Sequence, residues 1–151
     1  VRRSLAIPFL ALALALPLAS QKSDRPKAEA LVKEGFAFMK ANGKAAFILE
    51  VQKATGKFHT KPGSPLYLFV YDLEGLVLAH GAESNLLGVN RLNVKDPDGK
   101  QYTKEFIAVG QKKGGGWVDY KRMNPETRKI EEKASFVLAE GGLVVGCGIY
   151  K

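Results

Sequence analysis

The chain is poor in the residues that do covalent and metal chemistry. It has one cysteine, Cys147, and two histidines, His59 and His80, in 151 residues. A lone cysteine excludes an intramolecular disulfide, and no Cys-x-x-Cys-His is present for haem attachment. The histidines stand in dissimilar contexts, with no His or Cys neighbour at metal-ligand spacing. Cys147 lies between glycines in an apolar run, which reads as a buried inert thiol rather than a nucleophile partnered by His80. Paired carboxylates offer no acid–base dyad. Glu131 and Glu132 are adjacent on a strand and point opposite ways, while Asp96 and Asp98 fall on a turn. The run Lys95-Asp96-Pro97-Asp98-Gly99-Lys100 has too few acids for a calcium loop. Gly114-Gly115-Gly116 is followed by no Lys-Ser/Thr, so it is no phosphate loop. No catalytic activity, cofactor or metal is expected.

Charge is in excess but not in blocks. The formal net charge is +8, and about +6 remains once Arg2 and Arg3 are set aside with the leader described below. The cations are scattered singly and in pairs, without the aromatic-interleaved basic block of a nucleic-acid binder. The excess suits either a solvated basic surface or an anionic partner such as a carboxylate.

Long hydrophobic runs are confined to the start. Arg2-Arg3 precedes Leu5 to Leu18, an apolar stretch broken only by Pro8 and Pro17. That is a signal-peptide pattern over residues 1–20, short for a spanning helix. Cutting after Ser20 or Ala19 puts Leu18 or Pro17 at the −3 position, so an uncleaved membrane anchor is the alternative. Residues 21–151 then form one exported domain, periplasmic or extracellular, large enough for a core without disulfides.

Within that body, Gln21 to Asp24 reads as a polar linker, with Asp24 as N-cap and Pro26 in the first turn of a helix. Ala28, Leu31, Val32, Phe36 and Met39 recur at helical spacing, and Asn42-Gly43 stops the helix. Ala45 to Ala54 reads as a shorter second helix and Gln101 to Lys113 as a third; Gly81 to Gly99 is mostly loop. Leu66-Leu68-Val70 and Tyr67-Phe69-Tyr71 are two interleaved apolar sets, so both faces of this strand should be buried. Asp72 to Gly75 is a turn, and Leu76 to His80 returns beside the first strand. Trp117 to Met123, Lys129 to Ala139 and Leu143 to Tyr150 are three further strands joined by hairpins. The order predicts an α+β fold: a five-stranded antiparallel sheet with a long N-terminal helix packed on one face.

Several motifs in sequence order resemble one family. Phe69-Val70-Tyr71-Asp72-x-x-Gly75-x-Val77-Leu78-Ala79-His80 is similar to the opening hairpin of the single-Cache family, second type. Leu87-Gly88-x-Asn90, the Lys95–Lys100 turn, Gly114-Gly115-Gly116-Trp117-Val118-Asp119-Tyr120, Asn124-Pro125, Lys133-Ala134-Ser135-Phe136 and Val145-Gly146-Cys147-Gly148-Ile149-Tyr150 follow. Gly81 stands where the family pattern has proline, and the Gly141-Gly142-Leu143 turn is short and lacks a tryptophan. Cys147 replaces a small residue. The resemblance implies a PAS-like architecture whose pocket lies between the sheet and the loops and short helix crossing it. It implies a small organic acid as ligand, of the acetate, propionate, pyruvate or lactate class. On that basis Lys133 pairs with the carboxylate; Ser135, Tyr120 and His80 donate hydrogen bonds; Trp117 or Tyr71 walls the methyl group.

Alternation places Lys133 and Ser135 on one strand face, with Phe136 on the other. Trp117 and Tyr120 fall on opposite faces, and the sequence leaves open which of them meets the pocket. Facing a wet pocket, Lys133 is expected to add little to the core. No kinase, methyl-accepting or cyclase segment follows Lys151, so output is expected through a partner, a membrane sensor kinase or chemoreceptor, with homodimerisation through the N-terminal helix. A structural or partner-binding domain with a closed pocket and no small ligand is the competing reading.

Overall fold

The computed structural model describes residues 19–151, with side chains from Asp24 onward. The predicted leader lies mostly outside the described residues. The elements are α1 (Ala19–Asn42), α2 (Lys44–Gln52), β1 (Leu68–Asp72), β2 (Val77–His80), α3 (Tyr102–Gly110), β3 (Gly116–Met123), β4 (Ile130–Glu140) and β5 (Leu143–Tyr150). A 3-10 turn at Ser84–Leu86 interrupts the loop after β2. The five strands form one antiparallel sheet in the order β2-β1-β5-β4-β3. Among the described residues, no helix is long and apolar enough to cross a membrane.

The sheet separates two cores. Ala28, Val32 and Phe36 of α1 and Phe47 and Val51 of α2 pack with Leu68, Val70, Phe136, Val145 and Cys147 on one face. Tyr102 and Phe106 of α3 pack with Tyr67, Phe69, Tyr71, Val118, Tyr120 and Val144 on the other. The two interleaved apolar sets of β1 serve these two cores, as alternation requires.

One boundary is corrected. The helix does not begin at an Asp24 cap: α1 runs from Ala19 through the expected linker, and Pro26 lies inside it. An internal proline removes one helical donor. The chain stays helical past it because Ala28, Val32 and Phe36 are buried against the sheet. Asp24 pairs instead with Lys27 at 3.0 Å.

Local chemistry fixes the hairpin that carries His80. Asp72 Oδ1 accepts the amides of Glu74 and Leu76, both at 2.9 Å, and Gly75 takes φ +85°, a conformation L side chains rarely adopt. The β1–β2 register runs Phe69↔His80, Val70↔Ala79, Tyr71↔Val77, leaving Leu78 as an extra residue. That bulge brings Val77 and His80 to the same side. Gly81 then fills a place proline could not take. Its amide donates to Leu68 O at 2.8 Å, and a Cβ there would stand 2.4 Å from Phe58 O. The following loop covers the β2 edge, with Gly88 N donating to Val77 O at 2.9 Å and Val77 N to Val89 O at 3.0 Å.

Candidate functional site

On the α3 side of the sheet, the alternating positions of β3, β4 and β5 converge. Lys133 lies opposite Tyr150 and Ser135 opposite Gly148. A Cβ at Gly148 would stand 2.4 Å from Lys133 Cε and 2.6 Å from Ser135 Oγ, so the bare glycine is what lets both side chains lie flat on β5. Lys133 Nζ donates to Tyr67 Oη at 2.9 Å and lies 4.5 Å from the Tyr150 ring centroid. It has no ion-pair partner among the described residues. The expectation of a lysine in a wet pocket is corrected: it is 1 % exposed, because Tyr67 and Tyr150 enclose it.

Tyr120 Oη and Ser135 Oγ are 3.0 Å apart. Tyr102 of α3 stacks on Tyr120 with ring centroids 4.6 Å apart. Burial raises the Tyr67 phenol and lifts those of Tyr71 and Tyr120 to about 12, so all three keep their protons at neutral pH and can donate. Tyr71 lies in the apolar part of this layer, against Phe69 and Phe106.

His80 is nearly buried beside Tyr67, ring centroids 5.0 Å apart. Its Nδ1 accepts the amides of Ala82 and Glu83 at 3.3 and 2.9 Å. Two backbone donors fix the tautomer: the proton sits on Nε2, which faces Glu83 Oε2 at 3.6 Å. Burial, then the positive charges of Arg122, Lys133 and Arg91, push its pKa down to about 3. The ring is neutral, so its contact with Glu83 is no ion pair.

Arg122 extends the β3 face two positions beyond Tyr120 and bonds the Glu83 carboxylate. Burial opposes its charge, but Glu83 holds the guanidinium protonated above its usual range. Arg91 bonds Tyr102 Oη from the loop, and its buried Nε has no partner among the described residues. The layer therefore gathers three cations, one carboxylate, a neutral imidazole and several hydroxyls. That is a set of donors suited to an anion held between aromatic rings.

Of the expected site residues, Lys133, Ser135, Tyr120 and His80 are brought together, with Tyr71 on the same face. Trp117 is not. Alternation turns it to the α1 side, where its Nε1 donates to Glu29 at 2.9 Å and Arg25 covers its ring at 4.4 Å. Lys121 also leaves the cluster and pairs with Asp98 at 2.8 Å. Cys147 lies on the α1 side too; beneath the cluster β5 has Gly148 under Lys133 and Ser135, and Gly146 under the Phe69 ring. Sequence reasoning gave Tyr67 and Tyr150 no role in the site, although strand alternation carries both. Arg91, Tyr102 and Glu83 carried no comparable signal, since their approach depends on how a loop and α3 fold over the sheet. Two surface clefts are lined by ion pairs: one of about 250 Å³ beside Asp119 and Lys151, which meets the cluster only at Tyr120, and one of about 300 Å³ beside Lys57 and His59.

A family model described as Single Cache domain 2 matches residues 41–151. The chain belongs to the single Cache family. This Cache domain is 41 % identical over 90 residues to the sensor histidine kinase MctS of Rhizobium johnstonii (strain DSM 114642 / LMG 32736 / 3841), covering 58 % of this chain and 19 % of the kinase. It thus spans about a fifth of that relative's length. Two solved structures share its fold. One is the periplasmic sensor domain of a chemotaxis protein, at TM-score 0.64 and 26 % identity, covering 93 % of this chain and 99 % of that one. The other is a Cache chemosensory domain described for carboxylic acid recognition, at TM-score 0.63 and 23 % identity, covering 88 % and 95 %. The Cache domain is therefore a sensory module related to the sensor regions of histidine kinases and chemoreceptors.

Proposed function

We propose that this Cache domain is exported, binds a small monocarboxylic acid of the acetate, propionate, pyruvate or lactate class, and passes the signal to a membrane sensor kinase or chemoreceptor. One observation carries the reading: Lys133 is a buried ammonium that, among the described residues, contacts hydroxyl and aromatic groups but no carboxylate. A ligand carboxylate would supply the missing countercharge. Lys133 and Arg122 would hold it; Tyr67 and the Tyr120–Ser135 pair would donate hydrogen bonds; Tyr71 and Phe69 would face the alkyl end. His80 shapes the site through its own loop rather than donating from Nδ1. That a solved structure of the same fold is described for carboxylic acid recognition supports the reading.

The test is a thermal-shift screen against C2 to C4 carboxylates, followed by calorimetric titration. Ligand binding to the native state alone raises the melting temperature. A charge-assisted hydrogen bond contributes roughly 1.5–3 kcal/mol, so Lys133→Ala should weaken binding by about tenfold to a hundredfold. Unchanged affinity in the folded variant would place the carboxylate elsewhere. The competing reading, a structural or partner-binding module, is favoured by the closed state of the cluster; it requires that none of these acids shift the melting temperature.

A further inference from the structure

Glu83 stands where the cluster meets solvent. Its side chain is 36 % exposed and that of Arg122 17 %, whereas Lys133 behind them is 1 % exposed. The carboxylate bonds Arg122 and faces His80 Nε2. The backbone beneath it is fastened separately, by the Ala82 and Glu83 amides on His80 Nδ1. Among the described residues, the Glu83 side chain bonds Arg122 alone. A carboxylate of the protein is thus already seated on the less buried of these two cations, and it ties the start of the loop after β2 to β3.

We propose that Glu83 is a tethered competitor for the ligand's carboxylate, and so a determinant of which acids the domain answers to. The proposal rests on the carboxylate-binding reading above. An incoming acid must take Arg122 from Glu83, and in doing so it breaks the contact that ties the start of this loop to β3. A group tethered by a short linker acts at an effective concentration on the order of millimolar. An anion that merely reproduces the Glu83–Arg122 contact therefore cannot displace it at lower concentrations. An acid that also gains Lys133, Tyr67 and the Tyr120–Ser135 pair can. Glu83 in this way raises the threshold for every anion and leaves the advantage to those small enough to reach the inner lysine.

The test titrates sodium propionate and sodium pyruvate into wild type, Glu83→Gln and Glu83→Ala by calorimetry. Amide hydrogen exchange across 82–90 is followed in parallel without ligand. Removing the competitor should tighten binding of the better acid by about tenfold in both variants. The amides at the start of 82–90 should exchange faster, because one fastening of the loop is gone while the Gly88 and Val89 bonds to Val77 remain. Equal or weaker binding by both folded variants would overturn the competitor while leaving the carboxylate site intact. Unchanged exchange would show that Glu83 does not hold the loop, and would overturn the proposal as well. Failure of both acids, and of the other C2 to C4 carboxylates, to bind wild type and variants alike would overturn the carboxylate reading itself, and the competitor with it.

Discussion

Burying an ammonium costs several kcal/mol, and Lys133 is buried with no carboxylate partner among the described residues. Losing it would orphan one Tyr67 phenol, a cost of about 1–3 kcal/mol. The first effect is the larger, so Lys133→Met, which keeps the volume, should hold or raise the melting temperature of the ligand-free domain. The same variant should lose acid binding. Calorimetry and thermal denaturation on one sample check both signs. A marked fall in melting temperature would mean that the lysine stabilises the closed state.

His80 gives a second residue-level outcome. Its folded pKa, about 3, lies below its ordinary 6.5, so the unfolded chain takes the proton first as pH falls. Its contribution to stability is complete above 6.5 and is lost as pH falls towards 3. The loss runs at up to about 1.4 kcal/mol per pH unit. Denaturant titrations at descending pH should show a shallower slope in His80→Gln than in wild type.

The common face of Lys133 and Ser135 in this cluster was legible because alternation along one strand is strict. The sequence leaves open which of Trp117 and Tyr120 shares that face; the register pairs Tyr120 with Lys133 and turns Trp117 to α1. Arg91 and Glu83 were illegible, since loop residues have no period to read.

At the level of elements, β5 shows why two glycines interrupt an apolar strand. A Cβ at Gly146 would stand 2.2 Å from the Phe69 ring, and one at Gly148 would meet Lys133 and Ser135. Overpacking of this kind typically costs about 1–3 kcal/mol, so Gly146→Ala should destabilise by that order in urea denaturation. Gly148→Ala should instead displace Lys133, and the expected readout is weaker acid binding. A Gly146→Ala variant as stable as wild type would show that Phe69 swings aside at no cost. The strands, the hairpin turns and the three helices followed from periodicity and turn chemistry. The start of α1 did not, because Pro26 reads locally as a first-turn residue while burial downstream keeps the helix continuous through it. The β2 bulge was equally hidden, since nothing in Val77-Leu78-Ala79-His80 marks Leu78 as the extra residue.

For the molecule as a whole, the two cores stand on either side of a sheet only one strand thick. Cys147 belongs to the α1 core, and burial pushes its thiol up to about 12. A bulky thiol reagent should therefore modify the native domain only as fast as it opens, and denaturant should accelerate the reaction sharply. Rapid labelling under native conditions would contradict this packing. The same strand has an asymmetric cross-section. On the α1 side, β5 presents Val145, Cys147 and Ile149; on the other, Gly146 and Gly148 leave the main chain bare beneath the Phe69 ring and the Lys133 stem. No intervening side chain can rotate to absorb a displacement of that stem. A shift of the lysine bears directly on peptide groups, and those peptide groups also carry the side chains that α1 grips.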